Sequence, residues 1–216
     1  MPDILATVEY SQELRALVDA KLNNPNFTYT NWSDDELLGL RSSVRKFYRN
    51  EQKGKCAYCK NPVSLQSASN CHVEHIVPKS LYLYFIFEPK NLCVVCADCN
   101  EIKREQETRG EIPDTLKNCA KRVLYPRSSS AFKIVHPHFD NYTEHIQIIG
   151  EYYMDKSLKG HFTIGACRLN RKLYQFGWEK EIVSESVVLD LMSSYIDDDN
   201  TIHRHKILNK LREILI

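Results

Sequence analysis

Several things are missing from this 216-residue chain, and each absence removes a class of function. Charge of one sign is missing: 29 Lys/Arg against 28 Asp/Glu leave a formal net charge of +1. Any affinity for nucleic acid must therefore come from a local patch and not from the field of the whole molecule. Long apolar runs are missing too. The longest, "LYLYFIF" at Leu81–Phe87, is far too short to span a bilayer. The opening "MPDILATVEYSQEL" has neither a basic n-region nor an apolar h-region, so no signal peptide is expected. There is no Walker A pattern, so any ATP dependence must come from another chain. Internal repeats and low-complexity blocks are absent as well. What remains is an ordinary globular composition, 43% hydrophobic and 26% charged, long enough for one well-cored domain or two small ones.

Cysteine is not scarce: the chain has eight. With no signal peptide the expected compartment is the reducing cytoplasm, where regularly spaced pairs read as metal ligands and not as disulfides. Cys56-x-x-Cys59 and Cys96-x-x-Cys99 are two such pairs, each able to place two thiolates on one tight turn around a zinc ion. Cys93-x-x-Cys96 has the same spacing, so spacing alone leaves open which two of Cys93, Cys96 and Cys99 are ligands. Cys71, Cys119 and Cys167 have no paired spacing and read as packed thiols. A four-cysteine zinc has no open position and is structural. It would clamp the ends of a segment too small and polar to hold itself together.

The rest of the chain sorts into an α+β pattern in three stretches. Residues 1–54 read as helical: Ser33 and Glu36 have capping-box spacing, Leu37, Leu40, Val44, Phe47 and Tyr48 recur with helical period, and Gly54 can end the helix. Residues 55–110 lose that period. "NCHVEHIVP" alternates like a strand ended by Pro78, and "CNEIKREQETRG" favours a helix that stops at Gly110. Residues 111–216 begin with an irregular connector through Pro113, Pro126 and Ser128–Ser130, then turn mainly helical. Its last two helices are expected over 178–196 and 201–216, split by Asp197–Asn200.

Between the cysteine pairs stands "CHVEHIVPKS", with Glu74 and His75 side by side. Hydrolysis of a phosphodiester needs a base to activate water and a divalent cation to stabilise charge on phosphorus. An imidazole titrating near neutrality suits the base, so His75 is the candidate. Glu74 supplies a hard anionic oxygen and Asn100 a hard neutral one, a set that favours magnesium or manganese over zinc. Adjacent residues on a regular strand point to opposite faces, so one shared site requires a twisted hairpin. Lys103 or Arg104, on the following helix, could add phosphate contacts, and residues 51–133 carry 13 Lys/Arg against 9 Asp/Glu, an excess of four. The aromatic insertion "LYLYFIFEP" reads as internal packing in preference to base stacking.

Taken together, "CAYC…VEHIVPKS…NLCVVCADCNEIK" resembles the HNH endonucleases with the ββα-metal fold. The resemblance implies a zinc-braced ββα core between helical flanks, with His75 as general base and Glu74 and Asn100 as ligands of catalytic Mg²⁺ or Mn²⁺. It makes Asn91 a brace that orients the His75 loop, and it picks Cys56, Cys59, Cys96 and Cys99 as the structural Zn²⁺ set, leaving Cys93 out. Many members carry Asp where this chain has Glu74, one methylene longer.

"HPHFDNYTEHIQIIGEYY" and "GHFTIGACRLNRKLY" are further similar to HNH proteins of the PtuB type, found with an ABC-type ATPase in Septu and retron anti-phage systems. That similarity implies an antiviral nuclease with a PtuA-like ATPase partner and a nucleic-acid substrate, its C-terminal region docking the partner. The apolar positions around Ile182–Ile196 and Ile202–Ile216 would cover a core and present a stripe. His136, Asp140 and His145 are irregularly spaced and read as a polar turn in preference to a second metal site. Arg168, Asn170, Arg171 and Lys172 read as a solvated face or a contact surface. The rival to a nuclease is a non-catalytic zinc module that binds nucleic acid or protein, needing the cysteines but not His75.

Overall fold

The apolar spacing of residues 37–48 builds the first wall of the core. A computed structural model describes residues 1–110, 114–117, 123–176 and 185–215. After α1 (Gln12–Leu22), α2 (Leu38–Glu51) buries Leu40, Val44 and Tyr48 along one face. The Ser33–Glu36 capping box does not form. The chain reaches α2 through two short 3-10 turns, Tyr29–Ser33 and Asp35–Leu37. There the Ser33 hydroxyl donates back to the Thr30 carbonyl at 2.9 Å, and Glu36 pairs with Lys21. Ser33 closes the first 3-10 turn and Asp34 stands at the N-cap of the second, so Ser33 is not placed to cap a helix start. α2 ends at Glu51, three residues before the expected glycine. Gly54 sits at φ +70°, and its amide closes on the Arg49 carbonyl at 2.8 Å.

The next three elements are two strands and a helix in direct succession. β1 (His72–His75) pairs antiparallel with β2 (Leu92–Val95), in the register His72 to Val95, Glu74 to Cys93 and His75 to Leu92. α3 (Ala97–Arg109) follows at once and ends at Gly110, φ +74°. β2 is buried at all four positions, and α2 packs on both strands while α3 packs on β1. Gln52, past the end of α2, clips β2 in place: its amide group donates to the Val94 carbonyl and accepts from the Val94 amide, each at 2.8 Å. The aromatic insertion between the strands mostly goes inward. Phe85, Ile86 and Phe87 are buried and Tyr82 stacks on Phe85, whereas Leu81 and Tyr84 are exposed.

The chain divides into two compact units. The first comprises Met1–Ile146 with Asp155–Leu169, so the segment after 123 completes the core around the hairpin. His138 donates to the Leu92 carbonyl of β2 at 2.8 Å, Tyr142 donates to the Tyr58 carbonyl at 2.7 Å, and the Ile4 amide donates to the Pro137 carbonyl at 3.1 Å. α4 (Tyr142–His145) and α5 (Leu158–Ala166) meet so closely that a Cβ on Gly160 would lie 1.9 Å from the His145 carbonyl oxygen. A short hairpin, β3 (Ile146–Ile149) with β4 (Tyr152–Asp155), turns at Gly150.

The second unit comprises Gln147–Met154 with Asn170–Ile216. It holds α6 (Arg171–Phe176), α7 (Glu185–Asp197) and α8 (Thr201–Leu215), and α7 packs on α8. The helix expected from residue 178 is seen from Glu185; residues 177–184 lie outside the described residues. Asn170 is no surface contact. It is buried, its amide bracketing the Tyr153 backbone at 2.8 and 2.9 Å. Helices with two small two-stranded sheets make this an α+β structure. No helix among the described residues is long and apolar enough to cross a membrane.

Candidate active site

The two cysteine pairs come together on two different local devices. Cys56–Lys60 forms a tight knuckle in which Lys60 takes a positive φ of 61° and its amide donates to the Cys56 carbonyl at 3.1 Å. The second pair rides on the entry to α3, where the Cys99 amide donates to the Cys96 sulfur at 3.5 Å. The Ala57 amide ties the knuckle to the Val94 carbonyl at 3.0 Å. As a result the sulfurs of Cys56, Cys59, Cys96 and Cys99 all lie within 4.8 Å of one another, and all four residues are buried. Four thiolates about 2.3 Å from a tetrahedral zinc stand about 3.8 Å apart. Cys59 and Cys96 are 3.7 Å apart, so the cluster fits such an ion. Hydrogen bonds from the three other thiols push the Cys96 thiol down. Cys93 stands apart. It lies on β2 opposite Glu74, and burial pushes its thiol well up. Cys71 and Cys167 are buried thiols outside any disulfide, and Cys119 lies outside the described residues.

The hairpin loop hangs on Asn91, which is fully buried. Its side-chain oxygen accepts from the Val77 amide at 2.7 Å, and its NH₂ donates to the Phe85 and Val77 carbonyls at 2.9 and 3.2 Å. That fixes the loop that carries Ile86, and Ile86 in turn holds His75. The Ile86 carbonyl lies 3.0 Å from His75 Nε2, and the Trp32 ring meets the imidazole edge-on with centroids 4.5 Å apart. A carbonyl only accepts, so Nε2 carries the proton and Nδ1 the lone pair. Burial, with the Lys79 and Lys103 charges, lowers the His75 pKa to about 3. The ring is neutral at physiological pH and does not titrate near neutrality as the sequence alone suggests, because burial disfavours its charged form.

On β1 the residues two apart, His72 and Glu74, meet α3 in two rungs. Asn100 Nδ2 donates to His72 Nδ1 at 3.0 Å. One helical turn on, Lys103 Nζ pairs with Glu74 Oε1 at 2.6 Å and donates to the His75 carbonyl at 3.1 Å. Both members of this ion pair are buried. Lys103 therefore does not face substrate as a phosphate contact; neutralising Glu74 in a site sheltered from water has claimed it. Arg104 is exposed and pairs with Glu101. The sequence does not single out His72, yet the period of two that places it beside Glu74 is visible there. With its Nε2 on the Ser69 carbonyl at 3.0 Å, its Nδ1 lone pair points to Asn100.

Glu74 and Asn100 bring a carboxylate and an amide oxygen to one strand–helix junction, donor types that suit a hard divalent cation, with Glu74 Oε1 paired with Lys103. Asp140 is more heavily engaged. Its carboxylate accepts from the His136 amide at 2.7 Å and the Ser129 hydroxyl at 2.5 Å, and it pairs with Lys159. His145 Nε2 lies 3.8 Å away, while its Nδ1 is engaged with Ser157.

Residues 56–106, about a quarter of the chain, match the family model described as HNH endonuclease. A comparison with curated proteins finds no match.

Proposed function

We propose that this chain is a metal-dependent nuclease that hydrolyses phosphodiester bonds in nucleic acid at the junction of β1 and α3. The observation that carries the reading is the meeting of His72 with Asn100 and of Glu74 with Lys103, beside a neutral His75, inside the segment that matches the HNH endonuclease family. Glu74 and Asn100 are the residues that would hold Mg²⁺ or Mn²⁺. When bound, that cation supplies positive charge to the phosphate and to the leaving oxygen. His75 takes the proton of the attacking water on Nδ1, its Nε2 proton being held by Ile86. Asn91 fixes the loop that makes this tautomer the stable one. The four-cysteine site, which would hold a structural Zn²⁺, ties the knuckle to the start of α3 and so sets where Asn100 stands.

Cleavage by wild type and His75→Ala is the test. Removing a general base costs about 10²–10⁴-fold in rate. Undiminished cleavage by a folded His75→Ala protein defeats the mechanism, and no cleavage by either protein favours a binding module.

The similarity of residues 136–174 to PtuB-type proteins supports a finer reading, an antiviral effector that works with an ABC-type ATPase. Tyr174 and Phe176 on α6 are 85% and 75% exposed, apolar surface suited to such a partner. Co-purification of the full chain with the ATPase, and its loss in Tyr174→Ala/Phe176→Ala, tests this.

A further inference from the structure

Beyond the segment that carries the proposed chemistry, α2 carries a row of cations, of which Arg45, Lys46 and Arg49 line a cleft. Arg41, Arg45 and Arg49 recur at a spacing of four, one face of the helix, with Lys46 beside them. Like charges at that spacing repel and weaken a helix. Among the described residues none of the four forms an ion pair. The arginines reach backbone instead: Arg41 donates to the Asp34 carbonyl at 2.8 Å, Arg45 to the Cys71 carbonyl at 2.8 Å, and Arg49 to the Leu65 carbonyl. Carbonyl dipoles hold the guanidinium groups in place without cancelling their charge. Burial, together with the Arg49 and Arg41 charges, also lowers the Arg45 pKa, although the Cys71 sulfur works the other way.

The cleft itself has a volume of ≈ 380 Å³ and lies between α2 and the loop that precedes β1. Arg45, Lys46 and Arg49 line it on the helix side, Gln66 and Ala68 on the loop side, and no acidic residue is among its lining. It adjoins the candidate active site through the backbone. Cys71, whose carbonyl Arg45 holds, precedes His72, and the Ser69 carbonyl accepts the hydrogen bond from His72 Nε2–H. Uncompensated arginines in a preformed cleft, with donors fixed by backbone bonds, match a phosphodiester chain in charge and in shape.

We propose that this cleft is a phosphate-backbone binding site that anchors the nucleic-acid substrate beside β1. The proposal rests on the nuclease reading only for the identity of the ligand as substrate. Its test is binding by the full-length protein to a short fluorescein-labelled DNA duplex, and to the RNA duplex of the same sequence, across a salt series. No divalent metal is added, so cleavage does not intrude. The variants are Ser42→Glu and Lys46→Glu, at exposed cleft positions whose side chains make no hydrogen bond among the described residues, and Arg45→Gln within the row.

In Lys46→Glu and in the double variant with Ser42→Glu, affinity falls about tenfold or more. The slope of log K against log[salt] shrinks by about 0.9 for each duplex phosphate that the protein ceases to neutralise. Melting temperature and zinc content stay at the wild-type values. Unchanged affinity and slope in the double variant overturn the assignment, even where Arg45→Gln loses binding by misfolding. Failure of wild type to bind either duplex overturns it as well. Cleavage in magnesium separates the two readings. A wild type that binds through the cleft without cleaving keeps the anchor and defeats the nuclease. A wild type that cleaves while the double variant binds as tightly keeps the nuclease and defeats the anchor.

Discussion

The four-cysteine cluster and the cluster around Asp140 lie in the same compact unit, and both are dense in groups that bind metals. Their partners differ. Each thiol of the first cluster has mainly other thiols for company, with sulfurs within 4.8 Å and one backbone amide at Cys96. Asp140 already has the His136 amide, the Ser129 hydroxyl and the Lys159 ammonium, and His136 donates or accepts with Tyr125 at 2.9 Å. A cation entering the first cluster replaces mutual crowding; one entering the second must displace bonds already made. Density of ligand types is thus a poor guide by itself. What marks the structural zinc site is a set of donors whose only common solution is an ion.

The largest effect should come from breaking the first cluster. Cys96→Ser, or a strong chelator, should remove the one zinc expected per chain and unfold the hairpin with α3, since structural zinc contributes on the order of 10–16 kcal/mol to small domains that depend on it. Elemental analysis and circular dichroism read this directly. Cys93→Ser, on the other side of the hairpin, should keep its zinc; loss of metal there means the wrong member of the trio was assigned.

Breaking the second cluster should cost stability and no metal. Asp140→Ala strands the Lys159 ammonium beside the space left by the carboxylate and strips the His136 amide of its acceptor. Removal of one partner of a buried pair costs about 3–5 kcal/mol, toward the low end here because Lys159 keeps the Ser129 carbonyl at 2.9 Å. Urea unfolding with parallel zinc analysis checks it. A fall in zinc content without loss of stability would contradict the comparison.

The two histidines that close this region make it sensitive to acid. Burial lowers His138 to about 4, and it pushes His136 well below its ordinary value, with the His138, Lys159 and Lys90 charges acting in the same sense. Unfolded, both ionise near pH 6.5, so below that pH the unfolded chain binds more protons. The stability they confer is complete above about pH 6.5 and is lost as pH falls through the folded values, about 3 kcal/mol for His138 by pH 4. Urea midpoints between about pH 7 and 5 should fall more steeply for wild type than for His138→Gln. Parallel slopes count against the buried neutral ring.

What the sequence makes legible follows the range of the interactions. Two Cys-x-x-Cys pairs, a short alternating strand and a helix stopped by Gly110 are each decided within a few residues, and each is present. Cys93 cannot be sorted from its neighbours by spacing, because its exclusion depends on the β-register that sets it opposite Glu74. Ser33 has the right spacing for a capping box, but the chain around it winds into a 3-10 turn and uses the hydroxyl elsewhere. Lys103 reads in the sequence as a phosphate contact; only the docking of α3 on β1 shows that Glu74 has taken it. The packing of His138 on Leu92, 46 residues away in the chain, has no local signal at all.

His72 offers the finest test, since it stands between the two extremes. It is partnered, as Asp140 is, but its partner Asn100 is itself one of the proposed cation ligands. The Ser69 carbonyl fixes the Nε2 proton, which leaves Nδ1 to accept from Asn100 Nδ2 and so turns the Asn100 oxygen away from His72. His72 is then a positioning residue: it orients a ligand before any metal arrives. Removing such a supporting partner typically weakens metal binding about 10–100-fold, or about 1.4–2.7 kcal/mol. Manganese binding followed by electron paramagnetic resonance, without nucleic acid, should show that weakening in His72→Ala at unchanged zinc content. His72→Asn, whose side-chain oxygen can still accept from Asn100, should recover part of it. Equal manganese affinity in wild type and His72→Ala removes His72 from the site and leaves it a strand residue with a hydrogen bond.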